Sequence, residues 1–284
     1  MRSWLRNHFF KRTEERKERE RAFLENGSML LEKLIVSCNA KPIPIRTFSA
    51  QELRQPITML IIWRMVFVNQ FSDYEFMADL IINDLVISAQ MSGHSNVLKP
   101  IGCCLETPFP ISVYEFAANG MLANRVCLPR LKIARQIAHV ISYLHTAFSR
   151  PVIHMTINMQ SILLDEYDVP KLTNFFFRNG ENDVYNFGQL LLELLTGEDI
   201  FEITRLPIEK DSSLVAYMHN GAQGRSINEI VDPAIVAEEG GVILDQQLQA
   251  VLELALTCTE EDPHRRPTMV DVTKELRRIE KFVP

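Results

Sequence analysis

The sequence predicts an α+β fold of two lobes, a small strand-rich lobe followed by a larger, mainly helical one. The 284 residues are enough for one large domain or two lobes. Residues 47–116 carry short apolar runs and one helical pattern, whereas residues 117–284 carry mainly helical patterns. We therefore expect a charged helical extension over residues 1–46 and a folded domain over 47–280, with its small lobe at 47–116 and its large lobe at 117–280.

Composition excludes several classes of protein. Hydrophobic residues make up 46% and charged residues 23%, which is ordinary for a globular chain and excludes a mostly disordered one. A net charge of −6 argues against binding nucleic acid by charge alone. Five cysteines without a CxxC pair fit neither a disulfide framework nor a zinc knuckle. With no apolar run of 18 residues and no secretory signal, we expect a cytoplasmic location.

The N-terminal extension is basic at its start. Residues 1–21 hold eight Arg or Lys and four Glu, a local charge of +4, together with Trp4, Leu5, Phe9 and Phe10. One interpretation is a solvated helix. The other is a helix that makes at most a weak peripheral contact with the anionic surface of the plasma membrane.

A second helical pattern follows residues 26–28, with Ser28 as the expected N-cap. Leu31, Leu34 and Ile35 are spaced to share one face of that helix. This stripe either packs against the folded domain or docks a partner, and the sequence favours neither.

Four further patterns define the lobes. Residues 60–62 are typical of a buried strand, and residues 72–90 have helical spacing. Residues 131–148 predict an amphipathic helix. Residues 183–195 are apolar on nearly all sides of a helix, which indicates a buried central helix. Gly197 is the expected residue that ends this helix.

Spaced motifs in the same regions resemble those of eukaryotic protein kinases. Residues 151–165 (PVIHMTINMQSILLD) resemble the catalytic loop, and residues 171–176 (KLTNFF) resemble the strand that leads into the Asp-Phe-Gly motif. The resemblance covers residues 47–280 and implies a bilobal protein-kinase-like fold with a truncated small lobe. Four more segments are similar to parts of plant receptor-like kinases, namely 94–104 to the turn after helix C, 113–120 to the hinge, 183–197 to the central helix and 265–279 to the last helices.

Phosphoryl transfer needs a proton-accepting carboxylate, magnesium ligands, a Lys–Glu pair that orients the phosphates and a Gly-rich loop that covers them. At the positions that the resemblance assigns to these groups, the sequence carries other residue types. They are Thr156 for the proton-accepting Asp, Asn158 for the loop Lys, Ser161 for the magnesium-binding Asn, Asn174 for the magnesium-binding Asp, Trp63 for the strand Lys, and Leu85, next to Asp84, for the helix C Glu.

Two segments are also too short for a kinase. Eight residues, 55–62, separate Arg54 from Trp63, and two strands of about 5–6 residues each plus a glycine loop cannot fit there. Six residues, 177–182, precede Asp183 where the activation segment belongs. We therefore expect no catalytic residues, no metal site, and weak or absent binding of ATP and magnesium.

Positions that support the kinase fold are retained. The resemblance assigns His154 and Phe175 to packing against the central helix, and Asp183 to hydrogen bonds with the catalytic-loop backbone. Arg266 is also present, but the Glu that it pairs with in kinases has no counterpart here. We expect Arg266 to be exposed or to pair with another group, for example Glu181.

Residues 23–35 (FLENGSMLLEKLI), 102–104 and 143–148 are similar to the ZRK family of plant receptor-like cytoplasmic pseudokinases, which are related to wall-associated kinases. That resemblance implies an adaptor or decoy in plant immunity, with a coiled-coil NLR immune receptor and other receptor-like cytoplasmic kinases as partners. A residual serine/threonine kinase or nucleotide-binding switch is one alternative, and a decayed paralogue is another. The candidate docking residues are Gly27, Leu31, Leu34 and Ile35.

Overall fold

Two units make up the chain, Met1–Phe116 and Ala117–Pro284. The first holds a small sheet with two helices, and the second is mainly helical, which confirms the predicted α+β class. The computed structural model describes residues 2–38, 45–54, 60–63, 74–124, 129–148, 152–154, 156–177, 181–199, 203, 206, 213–221, 227–238 and 242–281.

The elements of the first unit are α1 (Arg2–Cys38), β1 (Arg46–Thr47), a 3-10 turn (Glu52–Arg54), β2 (Leu60–Trp63), α2 (Tyr74–Gln90), β3 (Pro100–Cys104) and β4 (Ile111–Glu115). The predicted strand at 60–62 and the predicted helix at 72–90 correspond to β2 and α2. The strands form one sheet in the order β1-β3-β4-β2, in which β1 runs parallel to β3 and the other pairs are antiparallel.

Helix α2 is the core of the first unit. Nearly every described side chain from Met77 to Ala89 is buried, so α2 must be covered on more than one side. Leu85 packs with Cys103 and Leu105 of the sheet region. Helix α1 packs against another side of α2. This contact holds α1 in the first unit even though α1 is strongly polar.

Helix α1 is continuous through Gly27, so the prediction that Ser28 caps a separate helix is wrong. The physical reason is tertiary contact at the preceding residue. The buried amide of Asn26 donates hydrogen bonds to the Leu105 and Thr107 carbonyls. That anchorage offsets the cost of about 1 kcal/mol for a glycine inside a helix.

The elements of the second unit are β5 (Gly120–Met121), a 3-10 turn (Leu122–Asn124), α3 (Arg130–Ala147), β6 (Val152–His154), β7 (Leu163–Leu164), β8 (Pro170–Lys171), β9 (Phe175–Phe177), α4 (Glu181–Thr196), α5 (Leu214–Gly221), α6 (Ile227–Ile230), α7 (Pro233–Glu238), α8 (Val242–Cys258), a 3-10 turn (Pro263–Arg265) and α9 (Met269–Glu280). The short strands pair as β5-β7-β8 and β6-β9, all antiparallel, beside a bundle of helices. The predicted amphipathic helix at 131–148 corresponds to α3, which packs against α9.

Helix α4 is the buried central helix that the sequence predicts. Its side chains from Leu190 to Thr196 are all buried, and it packs against α8. Gly188 permits this close approach, because an added Cβ would lie 2.7 Å from the Cys258 Cβ. Gly197 ends the helix in a left-handed conformation with φ +71°, as predicted.

Candidate functional site

The loop between β6 and β7 lies where the sequence resembles a kinase catalytic loop, and the side chains of Asn158 and Ser161 bond to the loop itself. The Ser161 hydroxyl donates to the Thr156 carbonyl at 2.5 Å. The Asn158 side-chain oxygen accepts from the Ser161 backbone N–H at 2.8 Å, and Asn158 is buried. Asn158 and Ser161 therefore act as local caps, in the manner of Asx and Ser turns. No carboxylate lies among the three.

Asn174 precedes β9 in a left-handed conformation with φ +67°. Asparagine tolerates this backbone better than most residues, so the local shape is kept at low cost. Its amide is neutral, however, and a hard divalent cation in this type of site prefers carboxylate oxygens. Asn174 thus preserves the turn without the charge.

Asp183 joins the start of α4 to β6. Its two carboxylate oxygens each accept from the His154 backbone N–H at 3.1 Å, and one also bonds His145 Nε2 at 2.8 Å. Burial raises the pKa of the Asp183 carboxyl, and the interaction with His145 opposes that rise. All of these partners are structural, so this carboxylate fixes the backbone that leads into the loop.

His154 and Phe175 form an aromatic pair in the core of the second unit. They are paired across β6 and β9, and their rings meet edge to face at 5.8 Å between centroids. Burial lowers the pKa of His154 to about 4, so its ring is neutral near pH 7. The histidine acts as a core aromatic side chain.

The connection from β9 to α4 is very short. Strand β9 continues to Phe177 and α4 begins at Glu181, so three residues, 178–180, separate the two elements. Those three lie outside the described residues. A connection of this length cannot present an extended peptide-binding segment.

Arg266 is partly buried and engaged with its surroundings. Its Nε donates to the Glu260 carbonyl at 2.8 Å, and its guanidinium lies 4.9 Å from the centre of the Tyr185 ring. The side chain of Glu181 lies outside the described residues, so its pairing with Arg266 stays a prediction.

In the first unit, an acid next to Leu85 bonds to the sheet. Leu85 itself is buried in the core cluster, whereas Asp84 accepts from the Tyr114 hydroxyl at 2.5 Å and the Ser88 hydroxyl at 3.3 Å. Burial raises the pKa of Tyr114 well above its usual range, so its hydroxyl stays protonated and donates. Trp63 ends β2 opposite Ser112, and its side chain lies outside the described residues.

One side of α1 exposes an apolar surface, which we call the α1 face. Leu31 is 58% exposed, Ile35 is 52% exposed and Leu34 is partly exposed. An added Cβ at Gly27 would meet nothing within 4 Å, so the space beside this residue is open. The α1 face consists of Phe23, Leu24, Gly27, Leu31, Leu34 and Ile35.

Other residues of α1 make the contacts with the first unit. Leu30 packs against the cluster of Leu85, Cys103 and Leu105. Ala22 and Asn26 are buried. No sequence motif marks Asn26 as a contact residue. Its spacing of four residues from Ala22 and from Leu30 nevertheless puts all three on one face of the helix.

Within the described ranges, no group of three or more His, Cys, Asp or Glu side chains is arranged to hold a metal ion. No described helix combines the length and the apolar character needed to cross a membrane.

Comparison with known proteins gives close relatives across nearly the whole chain. Arabidopsis thaliana serine/threonine-protein kinase ZRK1 is 32% identical over 93% of this chain and 95% of ZRK1. Non-functional pseudokinases ZRK2 and ZED1 of the same plant are 30% and 33% identical, each over 94% of this chain and over 94% and 98% of the relatives. The ZRK1 alignment spans 338 positions, more than the 284 residues here, so ZRK1 holds internal segments that this chain lacks. No family model matches the chain.

Proposed function

The chain belongs to the ZRK family of protein kinases and pseudokinases, and on that premise we propose that it is a catalytically inactive kinase homologue that acts as an adaptor or decoy in plant immune signalling. One observation carries the proposal. At two former catalytic positions, the side chains of Asn158 and Ser161 bond to the loop backbone, while α1 presents an apolar face with Leu31 58% exposed.

Inactivity is supported by the magnitudes involved. Thr156 has no basic oxygen near neutral pH, and loss of a general base alone lowers a rate by about 10²–10⁴. Kinases turn over at about 1–100 s⁻¹ before any such loss. Asn174 adds no charge for magnesium, and the short connection before α4 leaves no peptide platform. We expect binding of ATP and magnesium to be weak or absent.

Docking is assigned to the α1 face, with a coiled-coil NLR immune receptor or active receptor-like cytoplasmic kinases as the partners. Exposed apolar side chains that adjoin one another are typical of interaction surfaces.

Residues 177–182 contain no Ser, Thr or Tyr, so this stretch offers no hydroxyl for modification. The absence of such a hydroxyl favours a scaffold that presents another kinase.

The proposal also places the protein in the cytoplasm, with at most a weak peripheral contact between residues 1–21 and the plasma membrane. One such helix binds a membrane only marginally. Sedimentation with vesicles that contain anionic lipid measures this contact, and we expect little bound protein at physiological salt.

Affinity purification from plant tissue, with partners identified by mass, tests the adaptor role. Leu31→Glu places a charge at the centre of the α1 face and should abolish capture of the NLR receptor. Val36→Glu is the matched control, because Val36 is 73% exposed and lies about 140° around the helix from Leu31. Equal capture by the wild type and Leu31→Glu would refute docking through this face.

A residual kinase or nucleotide-binding switch is the second candidate, since the relative ZRK1 is named a serine/threonine-protein kinase. Thermal unfolding with ATP and magnesium distinguishes the two candidates. A rise of several degrees that disappears without magnesium supports a nucleotide switch, whereas an unchanged midpoint supports the adaptor.

A further inference from the structure

Asn26 is a buried polar side chain within α1. It is 2% exposed, and its Nδ2 donates to the Leu105 carbonyl at 3.0 Å and to the Thr107 carbonyl at 2.9 Å. Both carbonyls belong to the loop between β3 and β4. One amide therefore joins α1 to a loop about 80 residues away in sequence.

That loop is itself firmly held. The Thr107 hydroxyl donates to the Phe109 carbonyl at 2.5 Å, and Leu105 is buried in the core cluster. Glu106 accepts from the Ala50 backbone N–H at 2.9 Å. The loop that accepts the Asn26 hydrogen bonds is therefore fixed by its own contacts, and it cannot easily move together with α1.

The neighbouring contacts of α1 are less directional. Ala22 and Leu30 pack through apolar contact, which permits rotation and sliding. Lys33 pairs with Asp79 at 2.7 Å, but both side chains are about a third exposed, and such pairs contribute little. The two hydrogen bonds of Asn26 add direction because they require a defined angle.

We propose that Asn26 is a positioning residue that sets the rotation of α1 about its own axis and so orients the α1 face. Successive residues of an α-helix are about 100° apart, so Leu31 lies about 140° from Asn26. While Asn26 points to the loop, Leu31 must point away from it. This inference rests on the proposed docking function.

Hydrogen exchange of the full chain tests the anchorage. Asn26→Asp keeps the size of the side chain but replaces two donors with a carboxylate that faces two carbonyls. We expect amides within residues 22–38 to exchange about 10- to 100-fold faster, with α4 of the second unit unchanged. Ser28→Asp, which puts the same charge on an exposed part of α1, should leave exchange as in the wild type. Unchanged exchange of α1 in Asn26→Asp would overturn the inference.

Capture of the NLR receptor separates positioning from mere stability. At a temperature where circular dichroism shows Asn26→Asp to be folded, we expect capture per folded molecule to fall at least about tenfold, a difference of about 1.4 kcal/mol. If Leu31→Glu lowers capture and Asn26→Asp does not, the positioning role is wrong and docking stands. If neither variant lowers capture, docking itself is wrong, and the role of Asn26 in orienting a docking face is overturned with it.

Discussion

Replacement of His154 by Phe should make the second unit more resistant to acid. In the folded chain the buried ring has a pKa of about 4, against 6.5 when it is solvated. At pH 5 the unfolded chain therefore binds a proton that the folded chain does not, and the unfolded state gains stability as the pH falls. The two pKa values give a destabilisation of about 2 kcal/mol at pH 5, and almost none at pH 7.5.

His154→Phe removes this titration and keeps an aromatic ring against Phe175. The assay is urea unfolding followed by circular dichroism at several pH values from 7.5 to 5. The wild type should lose about 2 kcal/mol more than the variant over this range. His139→Gln, which changes an exposed histidine of α3, serves as the control and should follow the wild type. Parallel pH profiles for wild type and His154→Phe would refute the reasoning.

Two further changes probe the framework around the degenerate site. Gly197→Ala should lower the free energy of unfolding by about 1–3 kcal/mol, because φ is +71° and the new Cβ would lie 2.5 Å from an Asp232 carboxylate oxygen; a loss within 0.5 kcal/mol would contradict this. Tyr114→Phe should cost about 1–3 kcal/mol in urea unfolding, because it removes the shorter of the two hydroxyl hydrogen bonds to the Asp84 carboxylate. A neutral effect would mean that Asp84 finds another donor.

Elements with strong local patterns could be predicted from the sequence. The buried central helix was visible because apolar side chains surround its axis, and Gly197 marked its end. The amphipathic spacing of residues 131–148 predicted α3 in the same way. The apolar pattern of a helix and the residue that ends it are local properties, so they could be predicted without knowing which elements pack against the helix.

Features that depend on distant contacts could not be predicted. The local sequence of residues 26–28 predicts the start of a helix. In the structure, α1 is continuous there, because Asn26 is anchored by hydrogen bonds to a loop about 80 residues away. The bond between Asp84 and Tyr114 likewise joins a helix to a strand. At the candidate site, residue types indicated which chemical groups are missing, whereas the mutual capping of Asn158 and Ser161 required coordinates.

Phosphate transfer from radiolabelled ATP with magnesium tests most directly the claim that this chain keeps the kinase framework without its chemistry. We predict no chain-dependent incorporation into itself or a generic substrate, either by the wild type or by Thr156→Asp combined with Asn174→Asp. The double variant should stay inactive because only three residues join β9 to α4, whatever carboxylates are restored. Incorporation by the wild-type chain that disappears in Asn174→Ala would contradict the account.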